Sequence, residues 1–520
     1  MTRRRTTTAL VALTLSAIAL AGGALADRAL PAQHAPRPRV RVRLPAPRVP
    51  APAPAPARPN IVFVLADDLD TSLVRFMPHV QQLAARGVSF LSYFVSDSLC
   101  CPSRASTFTG ALPHDTGVFT NSGPDGGWDV FHARGEEGAT FATALQGAGY
   151  RTALMGKYMN QYPARPLNGP GSPPYVPPGW SEWDVAGNGY PEYDYKLARD
   201  DRVVRHGHAP RDYLTNVLAR NGLRFVDDSV AAGKPFMLEL ATFAPHAPAV
   251  PAPQDRGRFP GLRVPRDASF DEADMADKPA WIRDRPPLGD GEIANLDEGF
   301  RRRVRSVQAV DRTLGRIEAR LAQLGVAGDT YVVFSSDNGF HLGQHRLTAG
   351  KLTAYDTDIR VPLIVAGPGV AAGARVGALA ENIDLCPTFA RLGGASVPPG
   401  SDGHSLVPLL GGGLAPSDWR SGVLIEHHGG APPSTDPDFA PPSSGDPPTY
   451  EALRTARSLY VEYADGEREY YDLARDPLEL DNRADALTPA HAAALHAALG
   501  RLSECHGRVQ CWAAGHVGAG

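Results

Sequence analysis

The residues that most clearly carry chemistry lie between Cys100 and Arg104, in the run Cys-Cys-Pro-Ser-Arg. Pro102 suits the first turn of a helix, because its missing N–H would have no partner there. The run therefore predicts a helix that starts here, with Cys100 just before it. Free N–H groups and the positive end of the helix dipole favour an anionic group at such a terminus, and Arg104 adds a charge that does not titrate. These features predict an activated cysteine.

Two pairs of oxygen-bearing side chains follow apolar runs that are far apart in the chain. Asp67 and Asp68 end one run, and Asp337 and Asn338 end the other. Such runs are typical of strands that are buried on both faces of a parallel sheet, and open α/β sheets have their sites at the carboxyl ends of strands. Carboxylate and amide oxygens suit Ca²⁺ or Mg²⁺ and argue against zinc. The pattern predicts a site for a hard divalent cation.

The pattern Cys-x-Pro-Ser-Arg, followed by Thr109 and Gly110, resembles the modification motif of the type I, formylglycine-dependent sulfatases. The resemblance implies that a formylglycine-generating enzyme oxidises Cys100 to formylglycine (3-oxoalanine), whose hydrate is the nucleophile. Cys101 does not fit the register, because its frame has Ser103 where the motif has proline.

The same resemblance implies a set of ligands and charged groups. The implied metal ligands are Asp67, Asp68, Asp337, Asn338 and the modified Cys100, around Ca²⁺ as the first choice or Mg²⁺ as the alternative. The implied catalytic residues besides Cys100 are Arg104, Lys157, His246 and Lys351. Lys157 and Lys351 would hold sulfate oxygens, where positioned charge lowers a barrier most. His246, in a loop between two prolines, would bind sulfate and protonate the departing alcohol.

The segment from Gly156 to Asn160 narrows the resemblance to one branch of the family. With the Pro-Pro-Gly-Trp run at 177–180, it resembles N-acetylglucosamine-6-sulfatases and extracellular endosulfatases. This implies a sulfated sugar similar to N-acetylglucosamine 6-sulfate as substrate, with aryl sulfates as reporters. Many sulfatases have His where this chain has Met159, which leaves the base for the second half-reaction open. His341 is a candidate for that base, and His341 and His345 are predicted to contact the substrate.

Two other functions fit parts of the pattern. A phosphate or phosphonate monoester hydrolase of the same alkaline-phosphatase-like superfamily would share the fold, the metal site and the nucleophile position. The formylglycine motif and the single predicted metal site favour sulfate, because a two-metal phosphatase needs more His and Asp ligands. A binding protein with an unmodified Cys100 is the second alternative, and the intact set of charged residues disfavours it.

The elements around these residues predict an α/β fold. We expect an alkaline-phosphatase-like sheet, mixed and mostly parallel, sandwiched by helices, with a small C-terminal antiparallel α+β subdomain. The predicted strands include 61–66, 236–240, 331–336 and 422–426, a strand and turn at 363–369 and a hairpin over 455–473. The predicted helices cover 140–149, 298–324 and 488–502, and 251–287 is predicted to be a surface insertion.

Composition and the N-terminal segment limit the class of protein. The chain has 52 Lys and Arg against 56 Asp and Glu in 520 residues, and its net charge of -4 favours neither nucleic acid nor a membrane surface as partner. A basic start, a short apolar core and Ala-Leu-Ala at 24–26 predict a signal peptide and no stable membrane span. We therefore expect a secreted or extracytoplasmic protein.

The predicted divisions are a signal peptide (1–26), a Pro/Ala-rich linker (27–59), a catalytic domain (60–415), a C-terminal subdomain (416–511) and a tail (512–520). Cys505 and Cys511 lie close together near the C-terminus of an exported chain, which predicts a disulfide. Cys386 lies in an apolar run and is predicted to be a small buried hydrophobic residue.

Overall fold

The computed structural model describes residues 58–165, 172–430, 436, 437, 439 and 441–518. The predicted signal peptide and nearly all of the predicted linker lie outside these residues. In chain order the strands are β1 (Asn60–Ala66), β2 (Val88–Phe90), β3 (Tyr93–Phe94), β4 (Arg151–Gly156), β5 (Glu182–Ala186), β6 (Lys196–Arg199), β7 (Arg202–Arg205), β8 (Phe236–Ala241), β9 (Thr330–Ser336), β10 (His341–Leu342), β11 (Ala349–Gly350), β12 (Leu363–Ala366), β13 (Ala374–Val376), β14 (Ala380–Glu381), β15 (Gly422–His427), β16 (Tyr450–Thr455), β17 (Ser458–Tyr463) and β18 (Arg468–Asp472). The α-helices are α1 (Pro78–Arg86), α2 (Cys100–Thr109), α3 (Pro113–Thr116), α4 (Gly127–Ala133), α5 (Phe141–Gly147), α6 (Leu214–Ala231), α7 (Ala280–Arg283), α8 (Asp290–Gln323), α9 (Asp356–Ile359), α10 (Leu385–Leu392), α11 (Pro489–Ser503) and α12 (Gly507–Ala514).

The largest sheet has ten strands in the order β13-β2-β12-β9-β1-β8-β4-β5-β6-β7. Its middle strands, from β9 to β5, run parallel to one another. On one side β12 joins antiparallel to β9 and β2 antiparallel to β12, and on the other side β6 and β7 are antiparallel. The prediction of a mixed and mostly parallel sheet is confirmed.

Strand β1 shows why the apolar runs form central strands. Every residue of β1 is buried. Val62 and Val64 pack with apolar residues of α6 and α8 on one face, whereas Ile61 and Phe63 pack with residues of α5 and α10 on the other. Side chains alternate across a strand, so a strand covered by helices on both faces needs apolar residues at successive positions.

Two helix starts differ from the prediction. Helix α8 begins at Asp290, eight residues before the predicted start at 298, because Glu292 reaches back to the backbone N–H of Gly289 and caps the helix. The first turns bury few residues, so their apolar periodicity is weak. Helix α2 begins at Cys100 itself, so the thiol lies in the first turn and not before it.

The C-terminal part contains a four-stranded antiparallel sheet, β15-β16-β17-β18, on which α11 packs through Leu495, Leu499 and Leu502. The predicted hairpin is confirmed as β17 and β18, whereas the prediction missed β16. The disulfide between Cys505 and Cys511 is confirmed and connects α11 to α12. The domain bounds stay predictions, although α12 runs across the predicted start of the tail at 512. Within the described residues, no helix has the length and apolar character that crossing a membrane requires.

Candidate active site

Four neighbouring parallel strands bring most of the predicted site residues together. The order β9-β1-β8-β4 is continuous in the sheet, and the strands are followed by Asp337, Asp67, His246 and Lys157 respectively. Because parallel strands end at the same edge, residues that are up to 270 positions apart in sequence meet there. Helix α2 supplies Cys100 and Arg104, and Lys351 follows the short strand β11.

The two oxygen-bearing pairs meet because β1 and β9 are in register. Ala66 is opposite Ser336, so Asp67 and Asp337 are the next residues on neighbouring strands. The backbone N–H of Asp68 donates to Asp337 Oδ1 over 3.0 Å, and Asn338 Nδ2 donates to Asp68 Oδ1 over 2.8 Å. All four side chains are buried. The predicted convergence of the pairs is therefore observed.

Cys100 lies in the middle of this charged cluster and has no exposed surface. Its Sγ is 3.3 Å from Asp67 Oδ1 and 3.7 Å from Asp68 Oδ1. Lys351 Nζ is 2.9 Å from the same sulfur and 2.6 Å from Asp68 Oδ1. The side chain at position 100 is therefore positioned between two carboxylates and an ammonium group.

The cationic side chains neutralise the buried carboxylates. Lys157 Nζ lies 2.8 Å from Asp67 Oδ2. Arg104 Nε donates to Asp337 Oδ2 over 2.8 Å, and Arg104 Nη2 lies 2.8 Å from the same oxygen as an ion pair. Burial raises the pKa of Asp67, but the charges of Lys157, His246, Arg104 and Lys351 outweigh it, so that pKa lies well below its usual range. Burial dominates at Asp337 and raises its pKa to about 6 despite Arg104.

Burial disfavours the charged form of Lys157, but the carboxylate of Asp67 has the larger net effect and holds the pKa of Lys157 well above its usual value. The pKa of Arg104 is also raised, because its neighbouring carboxylates outweigh the effect of burial. Both groups therefore carry a full positive charge at neutral pH, inside a site from which solvent is largely excluded.

His246 faces the cluster from the loop after β8. Its Nε2 is 3.6 Å from Asp68 Oδ2, and its Nδ1 lies 2.8 Å from the carbonyl oxygen of Ala247. The ring of Tyr190 packs against His246 with centroids 4.5 Å apart, and Lys157 Nζ lies 5.1 Å from the centroid of the same ring. Tyr190 was not predicted from the sequence, because its loop has no recognisable motif.

Asp68 has a positive φ of 62°, a conformation that costs energy for a residue with a side chain. Arg303 of α8 stabilises this backbone by donating to the carbonyl oxygen of Asp68, and its Nη2 also donates to Asp70 Oδ2 over 3.0 Å. Arg303 is almost completely buried. It was also missed, because a basic run on a helix is usually solvated and only the burial of this one arginine distinguishes it.

The residues present fit a hard divalent cation. Ligand atoms of Asp67, Asp68, Cys100 and His246 all lie within 4.8 Å of one another. Asn338 Oδ1 is buried and accepts no hydrogen bond among the described residues, so it offers an unsatisfied oxygen beside Asp68. The two carboxylates of Asp67 and Asp68 and this amide oxygen are donors of the kind that Ca²⁺ and Mg²⁺ prefer. Asp337 already accepts hydrogen bonds at both oxygens, and its role as a ligand stays a prediction.

His341 and His345 lie apart from this cluster. His341 Nδ1 is 2.9 Å from Asp358 Oδ2, and its Nε2 is 2.8 Å from the carbonyl oxygen of Ser444. His345 Nδ1 is 2.6 Å from Glu272 Oε2, and its ring packs against Tyr355. Both rings are buried and contact other protein groups. Their predicted substrate contacts and the role of His341 as the missing base stay predictions.

Cys101 has the opposite environment to its neighbour. Its side chain packs in the apolar core on one face of the sheet, and burial raises the pKa of the thiol to about 12. Its backbone N–H donates to Asn121 Oδ1 over 2.9 Å. Helical geometry rotates successive side chains by about 100°, so adjacent cysteines reach different surroundings. Cys386 is likewise a buried apolar residue.

The mixed, mostly parallel sheet with charged groups at its strand ends is the arrangement expected of hydrolases with the alkaline-phosphatase-like fold. The sulfatase family model matches residues 59–395, and the model of the C-terminal region of N-sulphoglucosamine sulphohydrolase matches 343–504. The chain belongs to the sulfatase family, the enzymes that hydrolyse sulfuric esters.

Its relatives include the N-acetylglucosamine-6-sulfatase of Capra hircus, 35% identical over 86% of this chain and 84% of the relative. The extracellular sulfatase SULF-1 homolog of Drosophila melanogaster is 34% identical over 72% of this chain and 33% of the relative. These matches confirm the resemblance to the branch of N-acetylglucosamine-6-sulfatases and extracellular sulfatases.

Two solved structures share the fold. One is of a protein in complex with its substrate D-glucosamine-2-N,6-O-disulfate, with a TM-score of 0.69, 24% identity and coverage of 86% of this chain and 97% of that one. The other is the phosphonate monoester hydrolase of Silicibacter pomeroyi, with a TM-score of 0.62, 25% identity and coverage of 85% and 93%.

Proposed function

We propose that this chain is an exported, formylglycine-dependent sulfatase that removes sulfate from an amino sugar similar to N-acetylglucosamine 6-sulfate. The observation that carries the proposal is the environment of Cys100, whose sulfur lies 2.9 Å from Lys351 Nζ and 3.3 Å from Asp67 Oδ1. A residue that only filled the core would not have two charged groups in contact with it.

Each charged side chain of the cluster has its own role in sulfate ester hydrolysis. Lys157 and Lys351 hold the sulfate oxygens and stabilise the negative charge that spreads over them in the transition state. Arg104 keeps Asp337 ionised and adds positive charge behind residue 100. His246 donates the proton that the departing alcohol oxygen needs, since its Nε2 faces the cluster.

Two groups complete this chemistry. Formylglycine hydrate at residue 100, next to Lys351 and Asp67, would supply the nucleophilic hydroxyl group and a second hydroxyl group that would allow sulfate to be released. A Ca²⁺ ion held by Asp67, Asp68, Asp337 and Asn338, or Mg²⁺ in its place, would screen the charges of the sulfate and the nucleophile.

A cavity next to Lys157 supports a sugar as the substrate. Its polar and aromatic wall contains Asn160, Gln161, Asn188, Tyr190 and Asp436. Amide and carboxylate groups hydrogen-bond to hydroxyl and acylamino groups, and an aromatic ring packs on the apolar face of a pyranose. The names of the relatives, an N-acetylglucosamine-6-sulfatase among them, favour the same substrate class.

Export is supported by the disulfide between Cys505 and Cys511, since such bonds persist in oxidising compartments. The signal peptide at 1–26 remains a prediction from sequence. N-terminal sequencing of the secreted protein should begin at Asp27 if cleavage follows Ala-Leu-Ala at 24–26. A mature protein that retains Met1 would contradict it.

The decisive experiment is fragment-ion mass spectrometry of the peptide that spans 87–104, taken from protein made in its own host. We expect an aldehyde or its hydrate at residue 100 and an intact thiol at Cys101, together with turnover of an aryl sulfate. An unmodified thiol at residue 100 in active protein would overturn the proposed nucleophile.

A phosphonate monoester hydrolase is the second candidate function, and the likeness to the enzyme of Silicibacter pomeroyi favours it. The same protein preparation should be tested with an aryl sulfate and an aryl phosphonate that share one leaving group. A higher kcat/KM for the sulfate supports the sulfatase, and a higher kcat/KM for the phosphonate supports the alternative.

A further inference from the structure

A second cluster of metal-ligating side chains lies away from the candidate active site. It is formed by His114 and Asp115 of α3 and by His506, which directly precedes α12. Ligand atoms of these three residues lie within 4.8 Å of one another. The cluster joins two segments that are 391 residues apart in sequence.

The ligand atoms are close enough together for one ion to contact all of them, in place of the hydrogen bonds that now join them. His506 Nδ1 is 2.6 Å from Asp115 Oδ1, and His114 Nε2 is 4.0 Å from Asp115 Oδ2. His114 Nε2 donates a hydrogen bond to the carbonyl oxygen of Cys505 over 2.8 Å, and an ion that replaces this proton would have the carbonyl oxygen as a fourth donor. Donor atoms around a tetrahedral Zn²⁺ are separated by about 3.3 Å, as follows from bond lengths near 2.0–2.1 Å. The observed separations are shorter and longer than this value by less than about 1 Å, so small side-chain movements would bring the donor atoms to the spacing that zinc requires.

The surroundings of His114 resemble those of a zinc-bound histidine. The carboxylate of Glu426, which is almost completely buried, lies 2.9–3.0 Å from His114 Nδ1. A carboxylate at one ring nitrogen fixes the orientation of the ring and increases the basicity of the other nitrogen, which is the one that binds metal. In this cluster the other nitrogen is Nε2, which faces Asp115 and Cys505.

The backbone on both sides of the cluster is also fixed. The buried carboxylate of Asp402 accepts from the N–H of Leu112 through Oδ2 and from the N–H of Gly507 through Oδ1, both over 2.7 Å. Leu112 lies two positions before His114, and Gly507 lies one position after His506. The disulfide of Cys505 adds a covalent restraint. The side chain of His506 remains largely exposed, which gives an ion a path to the site.

We propose that His114, Asp115, His506 and the carbonyl oxygen of Cys505 form a second metal site, which takes Zn²⁺ and links α3 to the C-terminal helices. Two imidazole nitrogens select zinc over Ca²⁺, whose ligands are oxygen atoms. The ion would stabilise the packing of the C-terminal part on the catalytic part. It has no part in sulfate ester hydrolysis.

The test is a zinc titration of the full protein against a chromophoric chelator, with Ca²⁺ at saturation so that the oxygen-donor site is filled. The wild-type protein should bind one equivalent of Zn²⁺ that Ca²⁺ does not displace. His506→Ala should weaken this binding by at least about tenfold, since it removes a ligand. Zinc should raise the unfolding temperature of the wild-type protein and not that of His506→Ala.

His208→Ala is the matched control, because His208 forms an exposed pair with Asp194 over 2.9 Å and has no role in the cluster. It should bind zinc like the wild-type protein. Glu426→Gln should lower the affinity for zinc by about ten- to a hundredfold, although all the proposed ligands remain. A wild-type protein that binds no zinc under these conditions, or a His506→Ala variant with unchanged affinity, would overturn the proposal.

Discussion

The cluster around Cys100 and the cluster around His114 are built in different ways. The first lies at the ends of four adjacent parallel strands, is closed to solvent and has oxygen donors with cationic partners. The second lies between a one-turn helix and the start of α12, is partly open and has imidazole donors. Donor type and burial thus distinguish the candidate site for anion chemistry from the proposed site that links two parts of the fold.

The largest effect should come from the nucleophile position itself. Cys100→Ala removes the side chain that the mechanism requires and should lower kcat/KM for an aryl sulfate by at least about 10⁴-fold. Cys101→Ala, one residue away but in the apolar core, should retain activity. If the kcat/KM of the Cys100→Ala variant were within tenfold of the wild-type value, the cluster around Cys100 would not be the catalytic one.

Metal removal should separate the clusters by donor chemistry. Treatment with a Ca²⁺-selective chelator should lower kcat by about 10³-fold or more, because charge stabilisation by the ion is lost. Added Ca²⁺ should restore activity and added Zn²⁺ should not, since the donors at strand ends are oxygens. Recovery with zinc alone would contradict the assignment of the two ions to two sites.

Lys351→Ala should have the next largest effect. The ammonium group contacts both the Cys100 sulfur and Asp68, and its loss should lower kcat by about 10²–10³-fold. Steady-state kinetics on an aryl sulfate measure this loss. Arg346→Ala is a suitable control, because Arg346 lies nearby in sequence and bonds to backbone carbonyls away from the cluster.

Tyr190→Ala should have a smaller effect, because the ring only positions His246 and borders the cavity. We expect kcat/KM for a sulfated amino sugar to fall by about tenfold, in line with the worth of an aromatic contact. Tyr190→Phe keeps the ring and should recover most of that loss. If both variants lost activity equally, the ring would not be the part that matters.

The smallest effect on catalysis should be that of His506→Ala. Its kcat/KM for an aryl sulfate should stay within about twofold of the wild-type value, although zinc binding is lost. This pairing of results would sharpen the contrast between the clusters. A large loss of activity would show that the second cluster supports the first.

The strand-end site was predictable because its parts follow strong local patterns. Apolar runs that end in Asp-Asp and Asp-Asn identify β1 and β9, and the register of parallel strands then brings their ends together. Arg303 and Tyr190 were not predictable, since their importance depends on burial against Asp68 and His246. The early start of α8 depends on one capping glutamate.

The second cluster could not be predicted from the sequence, because its residues do not form a recognisable motif. His114 and Asp115 are adjacent, as are Cys505 and His506, but neither pair has the spacing of a known metal motif. Their meeting depends on how α3 packs beside the link between α11 and α12, which is a property of tertiary structure.

The complete burial of Cys100 has a consequence for the order of events in the life of the chain. An oxidising enzyme has to bind the stretch of chain around residue 100, which is not possible once α2 packs on the sheet and the side chain is buried, so the proposed conversion must precede this packing. Chains in which α2 packs on the sheet before modification therefore retain an unmodified thiol at residue 100. The yield of active protein should therefore depend on the rate of modification relative to the rate of folding. A variant that folds more slowly should contain a larger fraction of aldehyde at residue 100.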